Sequence, residues 1–310
     1  MESSSPKCGH SGCTRHESRA PYRVPVKCPW CDDAHYCSSR CKRRAWPTHK
    51  NSCSRPNYIL EVQLDPDYIR DPPVNRTLSC PANATFLQLH KALQVAFGWS
   101  GVHLFEFTAS NPDFKPAAQP GWFFKAGGSI ARGQEDADED VDAPKPEKRP
   151  VTYPPHYLLR ITDPEDEWDT SFEDPDTVVR NSSRICLWQI FDNESYRRGN
   201  ILYNYDFGDG WEHKITVKGR DTATDHFVCL SGSGHPVAED VGGHYGWEEL
   251  KKAYRTANPD EHQLERRRWY ERAAMNGDRR GLAGDIPNEW NKRVVNDELE
   301  QMKKRSRTVR

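Results

Sequence analysis

The chain of 310 residues contains no long apolar run. Nothing in it approaches the roughly eighteen uninterrupted apolar residues that a membrane-spanning helix needs, so no membrane partner is expected. Met1–Pro6 is rich in serine and lacks the apolar core of a secretory signal; the expected setting is a reducing, intracellular compartment, cytoplasmic or nuclear. An excess of one sign of charge is also missing. The formal net charge is −2, which excludes a strong field over the whole molecule. There is no glycine-rich phosphate loop, no nucleophile elbow and no HExxH pair. Hydrophobic residues make up only 35%, but ten Trp and twelve Tyr supply large buried areas, enough for one core in the middle of the chain.

Cysteine is the residue the chain does not lack, with ten in all. Seven of them fall between Cys8 and Cys53 and make pairs, with His49 completing the last: Cys8 and Cys13, Cys28 and Cys31, Cys37 and Cys41, His49 and Cys53. Knuckles of two to four intervening residues let two side chains meet one tetrahedral Zn²⁺ at roughly 2.3 Å. Eight ligands make two closed four-coordinate sites, hence two structural zinc ions and no open position for a substrate. His10 lies between Cys8 and Cys13 as a rival ligand; thiolates dominate such sites, which favours Cys8. A disulfide framework is the competing reading, and it needs an oxidising compartment that this sequence does not announce. Metal binding would supply most of the folding energy of so short a module.

These residues resemble the MYND-type zinc finger: Cys8-x-x-x-x-Cys13, Cys28-Pro-Trp-Cys31, Tyr36-Cys37-x-x-x-Cys41, then Trp46, His49-Lys50 and Cys53. The resemblance implies a cross-braced arrangement. Cys8, Cys13, Cys37 and Cys41 would hold one Zn²⁺, and Cys28, Cys31, His49 and Cys53 the other. It also implies a protein partner, because such fingers characteristically take proline-rich segments. Exposed aromatics such as Tyr36 and Trp46, flanked by Lys and Arg, would suit that role, although Trp46 fits the finger core equally well.

Charge is unevenly spread. Met1–Arg55 carries eleven Lys and Arg against four Asp and Glu. Arg40, Lys42, Arg43, Arg44 and Lys50 crowd one segment, where Ser38 is the expected N-cap of a short helix through Trp46 and Pro47 opens a second turn. A basic helix on a zinc module invites nucleic acid. A solvated face is the preferred reading, since the segment lacks the several base-reading side chains that a groove reader needs.

After a linker, Arg55-Pro56-Asn57, the pattern changes. Tyr58, Leu60, Val62 and Leu64 alternate with Ile59, Glu61 and Gln63, which predicts a strand, and Asn75–Cys80 predicts its neighbour. Thr85 with Gln88 is a capping box, Phe86, Leu89, Leu93 and Phe97 recur at helical spacing, and Gly98 stops the helix. Val102–Thr108 is expected as a strand. The Pro- and Gly-dense insertion 111–155 is expected to be disordered, and the acidic stretch 163–176 to be a surface loop. Arg184–Phe191 is apolar enough for a short buried helix or strand. Ile201–Phe207 and Trp211–Val217 form a hairpin around Gly208-Asp209-Gly210, and Phe227–Leu230 is another strand. Three helices follow: Trp247–Tyr254, a charged one capped by Asn258 and running to about Met275, and a last one from Pro287 to about Met302. The basic tail Lys303–Arg307 is expected to be loose. Cys80 and Cys186 read as buried thiols.

The hairpin carries a second resemblance. Tyr203-Asn-Tyr-Asp-Phe-Gly-Asp-Gly-Trp-Glu-His213 looks like the hallmark of the plasmid pRiA4b ORF-3-like domain. Pro73-Val74-Asn75-Arg76, Leu89-His90, Ala96–Trp99, His103–Phe107, Cys229, Gly232, Glu239-Asp240 and Gly242-Gly243 support it. The likeness covers about residues 57–255, with the insertion between, and implies an α+β fold without implying an activity.

The expected architecture is therefore α+β: a two-zinc finger over 8–53, an α+β domain with a mainly antiparallel sheet over 57–255, and charged C-terminal helices and a basic tail over 256–310. The turn residues Asp206, Asp209, Glu212 and His213 could form a metal or acid–base site, with Cys229, Glu239 and Asp240 folding nearby. Strand parity argues for structure instead, because His213 shares a row with Trp211, Ile215 and Val217. The favoured function is a zinc-binding intracellular adaptor, with the α+β domain as a second binding module. A metal-dependent enzyme using the Asp206–His213 turn is the alternative, and a nucleic-acid-binding regulator the third reading.

Overall fold

The computed structural model describes residues 8–13, 26–28, 31, 33–50, 52–114, 156–163 and 176–308. Of the insertion 111–155, residues 115–155 lie outside them, as does most of the acidic stretch 163–176. In the finger, β1 (Val26–Lys27) and β2 (His35–Tyr36) pair antiparallel, and α1 (Ser39–His49) follows. Ser38 caps α1 as expected, accepting from the Cys41 N–H at 3.2 Å. The expected break at Pro47 does not occur. Pro47 sits in the last turn, and the carbonyl deprived of its donor belongs to exposed Arg43, so water replaces the bond.

The second body begins without a linker. Arg55 is buried, and Asn57 already opens β3 (Asn57–Leu64), in which Tyr58, Leu60, Val62 and Leu64 are at most 1% exposed. β4 (Asn75–Cys80) pairs with it, and α2 (Phe86–Phe97) lays Phe86, Leu89, Leu93 and Phe97 on the sheet. Each such side chain contributes about 1.5–3 kcal/mol on burial. The capping box at Thr85 and Gln88 and the left-handed Gly98 (φ 75°) bound α2 as expected. β5 (Phe105–Ser110) starts three residues later than the apolar pattern suggested, because Val102 and Leu104 face solvent.

β6 (Tyr157–Thr162) and β7 (Val178–Asn181) extend the sheet, and α3 (Leu187–Phe191) and α4 (Glu194–Arg197) lead into β8 (Ile201–Tyr205). β9 (Trp211–Asp221) closes the expected hairpin, and β10 (Val228–Ser233) completes an eight-stranded sheet ordered β10-β4-β3-β9-β8-β5-β6-β7. Every neighbouring pair is antiparallel except β6 and β7.

Then come α5 (Gly243–Arg255), α6 (Glu261–Arg272), a 3₁₀ turn at Ile286–Asn288 and α7 (Lys292–Thr308). The cap of α6 is Asp260 rather than Asn258: its carboxylate accepts from the Gln263 N–H at 2.8 Å, and Gln263 answers at 3.2 Å. The tail expected to be loose continues the helix through Thr308, beyond the packed stripe Val295, Leu299 and Met302, and Lys303 pairs with Asp225 at 3.1 Å.

Arg76 ties three elements together. Its buried guanidinium donates to the carbonyls of Ala96 (2.7 Å), Asn75 (2.6 Å), Ser233 (2.5 Å) and Gly234 (3.0 Å), joining β4, the end of α2 and the end of β10.

Candidate metal centres

Cys8, Cys13, Cys37 and Cys41 converge in the finger, as do Cys28, Cys31, His49 and Cys53. His10 stays outside both groups. The Sγ atoms of Cys37 and Cys41 are 3.4 Å apart, Cys13 to Cys37 is 3.5 Å, and Cys13 to Cys41 is 3.8 Å. In the other group Cys28 to Cys53 is 3.8 Å, and Cys31 Sγ lies 3.4 Å from His49 Nε2. A tetrahedral Zn–S₄ unit with bonds of about 2.3 Å has edges of about 3.8 Å, so both sets have the right size. Thiols packed this closely cannot all ionise alone: Cys37 is pushed up to about 12, first by its contact with Cys41 and then by burial. A divalent cation resolves that conflict. Burial lowers the His49 pKa, which favours the neutral imidazole that a ligand must be.

Tyr36 and Trp46 do not form an exposed aromatic platform, and Trp46 takes the packed alternative, against the finger core. Tyr36 is 2% exposed inside the finger. Trp46 touches His49 edge-on at 6.2 Å and meets Trp188 of α3 edge-to-face at 6.0 Å. The Arg55 guanidinium lies 4.2 Å from the Trp188 ring centre and 5.3 Å from that of Trp46, and donates to Asp192 at 2.8 Å. Asn83 donates to the Cys53 carbonyl at 2.7 Å. The finger is thus docked on the α+β domain through its own zinc-ligand segment.

In the hairpin, His213 is wholly buried. Its Nδ1 faces the carbonyls of Tyr203 and Trp211, each at 3.1 Å, and Trp99 Nε1 donates to its Nε2 at 3.3 Å. That network assigns the proton to Nδ1. Burial holds its pKa down at about 4. Strand parity was the better guide: His213 is a satisfied core histidine, facing Leu64 of β3 and Tyr203 of β8. The expected row does not extend to Val217, which is 40% exposed. The Glu212 backbone N–H donates to the Asp65 carboxylate at 3.1 Å, and Cys229 lies on the far edge strand. Of the two remaining thiols, Cys80 is buried and Cys186 half-buried.

The turn aspartates shape the backbone. Asp206 Oδ1 accepts from the N–H groups of Gly208 (3.0 Å) and Asp209 (3.3 Å), while the Asp209 carboxylate accepts from Gly242 at 3.2 and 3.3 Å. Gly243, at φ 65°, could carry no side chain there, since a Cβ would stand 2.6 Å from the Asp209 carbonyl. The other oxygen of Asp206 points away from the turn. It lies 3.7 Å from His103 Nε2, which is 3.3 Å from Asp240 Oδ1. His103, Asp206 and Asp240 are the third group of candidate ligands among the described residues. The sequence offers Asp206 for a metal or acid–base site with Asp240 nearby, but around His213; the imidazole that joins them is His103, which chain spacing marks only as part of a strand.

Two family models match this chain. A MYND finger matches residues 7–53, and the plasmid pRiA4b ORF-3-like protein matches residues 57–279, well over half of the chain. The chain belongs to the plasmid pRiA4b ORF-3-like family. Its ORF-3-like domain carries an N-terminal MYND finger whose two ligand groups suit two zinc ions. Uncharacterized protein y4hQ of Sinorhizobium fredii (strain NBRC 101917 / NGR234) is 25% identical over 197 residues, which are 63% of this chain and 72% of that protein. The crystal structure of a protein of unknown function, MM3350 from Methanosarcina mazei Go1, is similar at a TM-score of 0.46 and 21% identity, over 76% of this chain and 95% of that one. No helix of the described residues is long and apolar enough to cross a membrane.

Proposed function

We propose that the protein is a zinc-stabilised intracellular adaptor, with the finger as a protein-binding surface and the ORF-3-like domain as a second binding module. The observation that carries this reading is the closure of both finger sites. Four ligands surround each zinc position, so neither metal has a free coordination site for chemistry, and the finger's contribution is a surface. That surface is not the pair Tyr36 and Trp46, which packing has already taken. Arg40, Arg43 and Arg44 remain exposed on α1, and they suit a proline-rich segment that also carries acidic residues.

Fluorescence anisotropy with a labelled proline-rich, acidic-flanked peptide tests the proposal. Saturable binding is expected for the full chain. The double variant Arg43→Glu/Arg44→Glu should retain two zinc ions and lose binding by tenfold or more, on the order of 1.4 kcal/mol. Undiminished binding by that variant would rule out this face as the recognition surface. A second reading, metal-dependent chemistry in the ORF-3-like domain, loses His213 to the core but keeps Asp206.

A further inference from the structure

We propose that His103 Nε2, Asp206 Oδ2 and Asp240 Oδ1 bind one divalent transition-metal cation in the ORF-3-like domain, separate from the two zinc ions of the finger. The three atoms lie within 4.8 Å of one another. Ligands at right angles around a metal with bonds of about 2.1 Å stand about 3.0 Å apart, so the observed 3.3 and 3.7 Å need only a slight contraction.

Among the described residues the three atoms face one another and have no partner outside the group. The Asp206 side chain is 8% exposed, with Oδ1 occupied by the turn and Oδ2 aimed at His103. His103 Nε2 is buried and makes no hydrogen bond. Two carboxylates and an imidazole nitrogen converge there with nothing between them. Both aspartates hold left-handed backbone, at φ 58° and 57°. One imidazole and two carboxylates form a donor set of intermediate hardness, suited to Mn²⁺, Fe²⁺, Co²⁺ or Zn²⁺ better than to Ca²⁺ or Mg²⁺.

The surroundings hold the triad in place. Three loops meet there, and each is stitched to another. The Asp206 N–H donates to the Leu104 carbonyl at 3.0 Å. Glu239, fully buried beside Asp240, accepts from the Ser100 N–H at 3.0 and 3.1 Å and from the Tyr205 hydroxyl at 2.6 Å. Asp209 holds Gly242 just beyond Asp240. Such outer bonds fix ligand geometry before the metal arrives. Three protein ligands leave positions open to water or to an oxygen donor. Asp240 also lines a neighbouring cleft of about 290 Å³ with His262, Glu265, Arg266 and Trp269.

The competing arrangement is an imidazolium bridging two carboxylates with no cation. Cobalt distinguishes the two. Full-length protein with its finger zinc in place is titrated with Co²⁺, followed by calorimetry and by absorption. About one further equivalent should bind, with the weak visible bands of nitrogen and oxygen ligation and without the intense thiolate charge-transfer bands of the finger. Asp240→Asn tolerates the left-handed backbone, and Asp206→Asn keeps the Oδ1 acceptor; each should weaken this equivalent tenfold or more while elemental zinc stays at two per chain. A full chain that takes up no third cation, or variants that bind it as wild type does, would overturn the proposal.

Discussion

His213 shows how one buried side chain sets a pH dependence. Unfolded, its imidazole titrates near 6.5; folded, burial holds it at about 4. A depressed histidine pKa means that the unfolded chain binds the proton first. Its contribution is therefore complete above about pH 6.5 and is lost as pH falls towards 4, for a total of about 3 kcal/mol. Replacing it by Gln leaves the Trp99 N–H and two carbonyls poorly matched and should cost about 2–4 kcal/mol at pH 7.5. The same variant should lose less stability than wild type on going from pH 7.5 to 5. Urea unfolding at both pH values checks this, and comparing the two proteins cancels the common effect of the zinc ligands. Asp65 works in the opposite direction. Burial raises its carboxyl to about 7, so its folded state favours the proton and stability falls as pH rises from about 4 to 7. Asp65→Asn keeps the acceptor for the Glu212 N–H and tolerates φ 35°. The variant should melt higher than wild type at pH 8 and equally at pH 3.5, by calorimetry.

Among the elements, the contact between α1 and α3 makes the sharpest prediction. Trp188→Ala removes the ring that Arg55 and Trp46 cover, while every zinc ligand stays intact. Zinc should remain at two per chain by elemental analysis. Domain stability should fall by about 1–3 kcal/mol, and limited proteolysis should cut between Cys53 and Asn57 faster than in wild type, where Arg55 and Asn57 are buried. The elements readable from sequence were those whose signal is local: the alternation of β3, the capping box and apolar stripe of α2, and the glycine turn joining β8 to β9. The zinc ligands announced themselves because a knuckle fixes their spacing. β6 and β7 went unread because their pairing is long-range and their flanks are rich in Pro and acid. The helix expected from Trp247 begins at Gly243, so Gly243 and Gly246 belong to α5; a Cβ on Gly246 would come within 1.8 Å of the Val241 carbonyl, so close approach is what requires glycine there. The basic end of α7 reads as loose because Lys303–Arg307 holds no apolar residue; the helix whose stripe Val295, Leu299 and Met302 is packed simply runs on through it. His103 was unreadable as a ligand because its companions lie more than a hundred residues away.

For the whole molecule, zinc and fold are linked. The finger's small core consists mostly of its ligands with Tyr36 and Ala45, so chelation should unfold it. The ORF-3-like domain has its own core and should remain folded, at a lower melting temperature, because Arg55 and Asn83 lose their finger contacts. Calorimetry with and without chelator should show the change, and tryptophan fluorescence should report Trp46 and Trp188 separating.

Only Ser54 stands between the last zinc ligand and Arg55, and β3 begins two residues later inside the sheet. The finger is therefore mounted rather than tethered. A partner that grips both the finger and the ORF-3-like domain meets a ruler: its two contact points must match one set span, and the second contact needs no slack chain to be drawn in. Selection would then act on the spacing between two motifs in the partner as strongly as on either motif alone.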